Sequence, residues 1–305
     1  PAVTRLVSRI SARYESSPGE WLLALVLIAP AALIFAVFQF YPLGRAVYLS
    51  LHETSPFGGG DIYVGLDQWQ RVLGDDDFRK SLWVTAKFVL IVVPIGIVLG
   101  LFLALLANQR VRGIVIFRTI FSSTLASSVA IAAVTWTLLL NPQNGIFNWL
   151  IREAGGTPIS WLTDPRWALF AVGLTSVWIG IGFTTIVLLA ALHGLPEELY
   201  ESARMDGAGH LRIFFRITLP LLSPSLLFVA VVSTISALQT FGQIDVLTRG
   251  GPLGETRVMV YAIYEDAFRF RDVGGASVQS LLLFAIIAAL TALQFWAVRG
   301  RVYYR

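Results

Sequence analysis

Residues 195–220 read Leu195-Pro196-Glu197-Glu198-Leu199-Tyr200-Glu201-Ser202-Ala203-Arg204-Met205-Asp206-Gly207-Ala208-Gly209-His210-Leu211-Arg212-Ile213-Phe214-Phe215-Arg216-Ile217-Thr218-Leu219-Pro220. This charged stretch separates two apolar runs, at about 167–192 and 221–242, each long enough to cross roughly 30 Å of hydrocarbon. Pro196 fits a first helical position, and Glu197 and Glu198 then fall in the first turn, where the helix dipole favours negative charge. Leu195, Leu199, Ser202 and Ala203 share one face at helical spacing and form a small apolar ridge. Gly207 and Gly209 permit a sharp turn, a second amphipathic helix can run from His210 to Ile217, and Leu219-Pro220 returns the chain to the membrane. An interfacial helix lying on lipid headgroups is the alternative, but Glu197, Glu198, Glu201 and Asp206 have the wrong sign for anionic lipid. The pattern instead suits a knob that fits a groove on a partner.

The flanks set the fold class. Hydrophobic residues make up 56% of the chain and charged residues 14%, too apolar for a water-facing surface of this size. Runs of spanning length occur at about 21–41, 82–106, 119–140, 167–192, 221–242 and 276–298. Lipid offers the backbone no hydrogen-bond partners, and the runs lack the alternation of barrel strands, so an all-α protein with six transmembrane helices is predicted. The division is then an N-terminal segment 1–20, a transmembrane domain 21–298 containing a cytoplasmic loop 193–220, and a tail 299–305. Arg5, Arg9 and Arg13 before the first run resemble a secretion signal, but the run is long and no small-residue cleavage site follows, so it reads as a retained span. Twelve Lys and Arg lie on the side of the termini in short segments, against ten in longer loops that carry thirteen of the nineteen acids. Both termini are therefore predicted cytoplasmic. Pro94 and Pro224 are expected to kink their spans, and Lys87 to snorkel from a helix end.

Composition and spacing also exclude functions. There are no cysteines, so disulfide and thiolate chemistry is absent. The basic residues are scattered arginines rather than a phosphate-tracking patch, which argues against nucleic acid. Gly74-Asp75-Asp76-Asp77-Phe78-Arg79-Lys80-Ser81 approaches a P-loop but has Arg79 where glycine is required and three carboxylates that repel phosphate. His52, His193 and His210 have no metal-ligand spacing, which leaves an intramembrane enzyme unsupported. None of the six runs holds a carboxylate for a proton-coupled carrier, and the halves show no clear repeat of a secondary transporter.

Two polar stripes mark a candidate route for solute. Ser233, Ser236, Thr240 and Gln243 recur at i, i+3, i+7 and i+10 in the fifth run, and Thr175, Trp178, Gly182 and Thr185 repeat that spacing in the fourth. Hydroxyls, an amide and an aromatic ring suit a neutral polyol, although small polar residues also simply bind helices together in lipid.

Glu201-Ser202-Ala203, three residues, Gly207, nine residues and Ile217-Thr218-Leu219-Pro220 resemble the EAA loop of binding-protein-dependent ABC importer permeases, with Ser202 in place of Ala. Asp206-Gly207-Ala208 is the version of the carbohydrate-uptake branch. Phe241, Asp245 and Leu247-Thr248-Arg249-Gly250-Gly251-Pro252, with Thr256, Tyr261, Tyr264, Glu265 and Phe268, resemble the segment after the fifth helix in maltose and glycerol-3-phosphate permeases. Tyr63-Val64-Gly65-Leu66-Asp67-Gln68-Trp69 is similar to the family's external loop, although Val84 replaces its usual Asn. The resemblance implies the type I ABC importer permease fold, a coupling helix around Glu201 seated in an ATPase subunit, and ATPase-coupling roles for Glu201, Ser202, Ala203, Asp206, Gly207, Ile217, Leu219 and Pro220. It implies a substrate pathway along Ile179, Gly180 and Phe183 in one helix and Ser233, Ser236, Ala237 and Thr240 in another, which Gln243 extends. The implied partners are a second homologous permease forming a heterodimer, two ATPase subunits and an extracytoplasmic solute-binding protein. The chain itself would bind no cofactor; ATP and Mg would sit on the ATPase. Ala276-Ser277-Val278-Gln279-Ser280 and the carboxyl end from Gln294 to Arg305 lean toward glycerol-3-phosphate-type rather than maltose- or trehalose-type solutes.

Overall fold

The computed structural model describes residues 18–54, 61–109 and 111–298. Arg5, Arg9, Arg13, Arg110, Arg299, Arg301 and Arg305, on which the charge count partly rests, lie outside the described residues, as does the tail 299–305. The first helix, α1, runs through Pro18–Phe35, a π-helical turn Ala36–Phe40 and Tyr41–Ser50, well past the predicted end at 41. A two-stranded hairpin follows, with β1 (His52–Thr54) antiparallel to β2 (Asp61–Tyr63) and His52 opposite Tyr63. Then come α2 (Asp67–Gly74), α3 (Asp76–Ala107), α4 (Ile114–Ser123) with a 3-10 turn Thr124–Ala126, α5 (Val129–Leu139), α6 (Ile146–Glu153) and α7 (Ala168–His193). The remainder is α8 (Glu197–Met205); α9, which joins His210–Ile213, a π turn Phe214–Thr218 and Leu219–Leu221; α10 (Ser223–Leu238); α11 (Gly242–Leu247); α12 (Met259–Tyr264) with a π turn Glu265–Arg269; and α13 (Val273–Val298).

Among the described residues, four helices are long and apolar enough to cross a membrane: α1 from Trp21, α3, α7 and α13. The other two predicted spans are not straight. The third is α4 and α5 meeting at 109°, and the fifth is α9 and α10 meeting at 66°, so six spans result only if each bent pair counts as one. The first bend has a local cause in Ser122, Ser123, Thr124, Ser127 and Ser128. Ser123 and Thr124 donate to the carbonyls of Ile120 and Phe121, and Ser127 and Ser128 are extended, as hydroxyl residues that compete for the backbone favour. The second bend falls between Pro220 and Pro224, each of which begins a new helical segment. The fifth span also ends early, at Leu238 rather than 242.

The core lies where α3 and α7 run against each other, joined by α5 and the segment after α10. Val84, Phe88, Val172, Ala133 and Tyr261 are buried together there. Gly100 of α3 lets the helices approach, since a Cβ there would sit 2.3 Å from the Thr184 methyl. By contrast, none of the described side chains of α1 from Trp21 to Phe40 is buried, as expected of a helix surrounded by lipid or by another subunit.

The start of α3 explains the acidic run that mimicked a P-loop. Asp75 is the N-cap and accepts from the Asp77 backbone N–H at 3.1 Å, while Asp76 and Asp77 occupy the first turn. The Nζ of Lys87 lies 3.3 Å from a carboxylate oxygen of Glu255, which also holds Lys80 at 3.4 Å, so its charged end has a partner in the loop after α11. Glu255 belongs to a strap between α11 and α13 that also ties Met259 N–H to the Thr85 hydroxyl at 2.8 Å and Asp272 to Arg71 at 2.8 Å. These loops pack on the spans, as expected.

Within the strap, burial raises the Asp266 carboxyl pKa above its ordinary value, opposed by the hydrogen bond from the Gln279 amide and by Arg257. The folded protein therefore binds this proton more readily than the unfolded chain, and stability falls as pH rises through the window just above the ordinary carboxylate value. Asp266→Asn keeps an oxygen acceptor for Gln279 and removes the titration. Its melting temperature relative to the parent should rise between about pH 4 and pH 7 and converge with it in acid. A pH-independent difference would remove the titration from the account.

Candidate coupling loop and translocation cavity

α8 forms as the sequence dictates, with Pro196 as the N-cap one residue before the helix, acidic residues in the first turn and Arg204 in the last. Its carboxyl end closes by two paired bonds, Gly207 N–H to the Arg204 carbonyl at 3.0 Å and Ala208 N–H to the Ala203 carbonyl at 3.0 Å. Gly207 stands at φ +75°, which glycine adopts without a Cβ penalty. Ala203 is buried and the Tyr200 hydroxyl lies 3.2 Å from that of Thr218, so α8 is fixed to α9 from its inner side. The predicted ridge is split: Leu199 and Ala203 turn inward, whereas Ser202 is exposed and bonds the Leu199 carbonyl. Glu201, Asp206, Met205 and Leu211 are exposed, as are Arg204, Arg212 and Arg216, while Ile217, Leu219 and Pro220 are half-buried at the return, and the outer surface thus mixes both charges with apolar points.

All eight predicted pathway residues line one cavity of about 340 Å³: Ile179, Gly180 and Phe183 from α7, Ser233, Ser236 and Ala237 from α10, Thr240 from the link, and Gln243 from α11. The stripe survives the end of α10 at Leu238 because the link is short and α11 packs against α7. Val92 and Gly96 of α3 and Leu125 from the bend complete part of the wall, and no ionisable side chain is among the residues lining it. The second stripe does not reach the cavity. Thr175 is fully buried and donates to the Ala171 carbonyl, Gly182 packs on the bend at Phe121 and Thr124, and Trp178 sits edge-on to Trp136. Thr185 is buried as well. The stripe is helix packing, and the lining face of α7 is offset from it by one residue, through Ser176 and Thr184, both of which the sequence reading missed. The adjacent threonines Thr184 and Thr185 were a signal that one hydroxyl must leave the packed face.

Residues 96–301 match the family described as "Binding-protein-dependent transport system inner membrane component". The chain belongs to this family. The permease is 35% identical over 290 residues to the sn-glycerol-3-phosphate transport system permease protein UgpA of Escherichia coli O6:K15:H31, covering 94% of this chain and 97% of that one. It is also 35% identical over 296 residues to UgpA of Yersinia pestis bv. Antiqua, covering 95% and 99%. A chain of a bacterial alginate ABC transporter, solved with a periplasmic protein bound to alginate pentasaccharide, superposes with a TM-score of 0.79 at 23% identity over 92% of this permease and 94% of that chain. The fold is therefore that of ABC importer permeases. The protein is a multi-pass inner-membrane component that works with an ATPase and a solute-binding protein and is not itself catalytic.

Proposed function

We propose that the permease imports a glycerol-3-phosphate-like or sugar solute along the cavity between α7 and α10, driven by a separate ATPase docked on α8. The observation that carries this reading is the convergence of the eight expected residues on one uncharged cavity, whose largely apolar wall carries the hydroxyls of Ser176, Thr184, Ser233, Ser236 and Thr240 and the amide of Gln243. Uncharged hydrogen-bonding groups suit polyol passage, because they offer no charge trap from which a solute must escape. The UgpA relatives point to glycerol-3-phosphate or its diesters. A disaccharide is the second reading, and the 340 Å³ volume admits one.

Glu201, Ser202, Ala203, Asp206, Gly207, Ile217, Leu219 and Pro220 form the coupling element in this reading, a short capped lever that passes the partner's movement to α9 and α10. The assembly pairs this permease with a homologous second permease as a heterodimer, with two ATPase subunits and one external binding protein. Both termini lie in the cytoplasm, supported by the arginine asymmetry. ATP and Mg reside on the ATPase; the use of Asp75 as a helix cap supports the absence of a nucleotide site at Gly74–Ser81. Uptake of labelled sn-glycerol 3-phosphate, glycerophosphodiesters and maltose into proteoliposomes, with and without the binding protein, tests the solute class. Binding-protein-dependent uptake of one of them is expected, and none at all would overturn the proposal.

A further inference from the structure

Six polar side chains line the cavity, and they divide into two kinds. Ser176 and Thr240 donate to carbonyls one turn back in the chain, at 3.1 Å and 3.0 Å, as buried helical hydroxyls ordinarily do. Thr184, Ser233, Ser236 and Gln243 have no side-chain hydrogen bond to any described residue. Two of these are deeply buried, Thr184 with 3% of its surface exposed and Gln243 with 9%. The polar atoms of Gln243 and Thr184 are not among the sealed, unpartnered groups of the interior, so these largely buried side chains open on the cavity with their hydrogen-bonding capacity free for a solute. The position of Gln243 is built: Gly242 lets the start of α11 come against Val129 of α5, where a Cβ would sit 3.0 Å from a valine methyl. The Thr184 methyl is wedged against Gly100, which fixes how that side chain is turned.

We infer that Gln243 and Thr184 are specificity-determining residues of the cavity, each hydrogen-bonding a hydroxyl of a polyol and rejecting an analogue that lacks it. This rests on the polyol reading above. A carboxamide both donates and accepts, and so does a hydroxyl, so each can satisfy a solute hydroxyl whichever way its proton points. With no charged group in the lining, a phosphate on the same solute lies outside these contacts. A site that hydrogen-bonds a substrate hydroxyl discriminates strongly against its absence, because its own polar groups are then left unpaired.

The test uses the complete transporter in proteoliposomes with its binding protein, comparing sn-glycerol 3-phosphate with its 2-deoxy analogue, propane-1,3-diol monophosphate. The parent should favour the hydroxylated solute by at least about tenfold in kcat/KM. Gln243→Leu and Thr184→Val should each reduce that preference to within about threefold, chiefly through KM for the hydroxylated solute, whereas Thr184→Ser should retain it. Co-purification of the ATPase reports assembly, and if Gln243→Leu fails to assemble, the Thr184→Val and Thr184→Ser pair decides. If the parent carries maltose instead, the same variants are read on maltose and a monodeoxy maltose. Preference unchanged in the variants, or equal loss on both solutes, overturns the pair while leaving the polyol reading intact. No ATP-dependent uptake of any of these solutes by the parent overturns the polyol reading and the pair with it.

Discussion

Glu201→Lys should reduce ATP-dependent uptake by more than about tenfold and release the ATPase from the complex, with the permease itself still folded and inserted. The expectation follows from where α8 puts its residues. The inner side is occupied by Ala203 and by the Tyr200–Thr218 contact at 3.2 Å, which hold the helix to α9. Glu201 is exposed on the opposite side, so its charge contributes little to the permease's own stability. In the proposed assembly it meets the partner, and reversing one charge at a docked interface costs several kcal/mol, enough for a tenfold to thousandfold loss. Ser202→Ala, small for small on an exposed position, should leave docking intact. Normal assembly and normal uptake in Glu201→Lys would remove α8 from the coupling path.

Gly182→Val should destabilise the permease strongly, because the space for a side chain at this position on α7 is already filled by backbone. A Cβ at Gly182 would lie 2.4 Å from the Thr124 hydroxyl and 2.8 Å from the Phe121 carbonyl oxygen. These atoms belong to the bend between α4 and α5, whose freed backbone groups must be covered by protein rather than lipid. Pushing the bend off α7 therefore adds exposed backbone polarity to overpacking, which alone costs about 1–3 kcal/mol. A fall in melting temperature and in detergent-extractable yield is expected. Gly180→Ala, two residues away, meets nothing within 4 Å and should melt like the parent. Equal stability of the two variants would contradict the packing described for the bend.

The contrast between these glycines shows where sequence reading succeeds and stops. The helices α3, α7 and α13 were legible because long apolar runs in lipid have no option but helix, although α3 begins at Asp76 rather than 82 and α13 at Val273 rather than 276. The 109° bend was not, because small hydroxyl residues such as Ser122 to Thr124, Ser127 and Ser128 also sit inside straight spans, and the break depends on hydroxyls turning to their own backbone. The stripe from Ser233 to Gln243 reached the cavity even though its helix ends at Leu238, while the equally spaced stripe from Thr175 to Thr185 did not. Spacing alone identifies a shared face; only the neighbours decide whether that face is packed or open. Lys87 makes the same point, since its partner Glu255 lies 168 residues further along the chain. The helix and turn of residues 196–209 were the most legible part, because caps, dipole and turn residues act locally and agree with one another.

The measurement that bears most directly on the account is solute uptake by proteoliposomes containing the permease pair, its ATPase and the binding protein, with ATP either enclosed or omitted and ion gradients collapsed by ionophores. Accumulation only with enclosed ATP and unaffected by ionophores is the predicted result. Accumulation that proceeds without ATP, or stops when the ion gradients collapse, would contradict it.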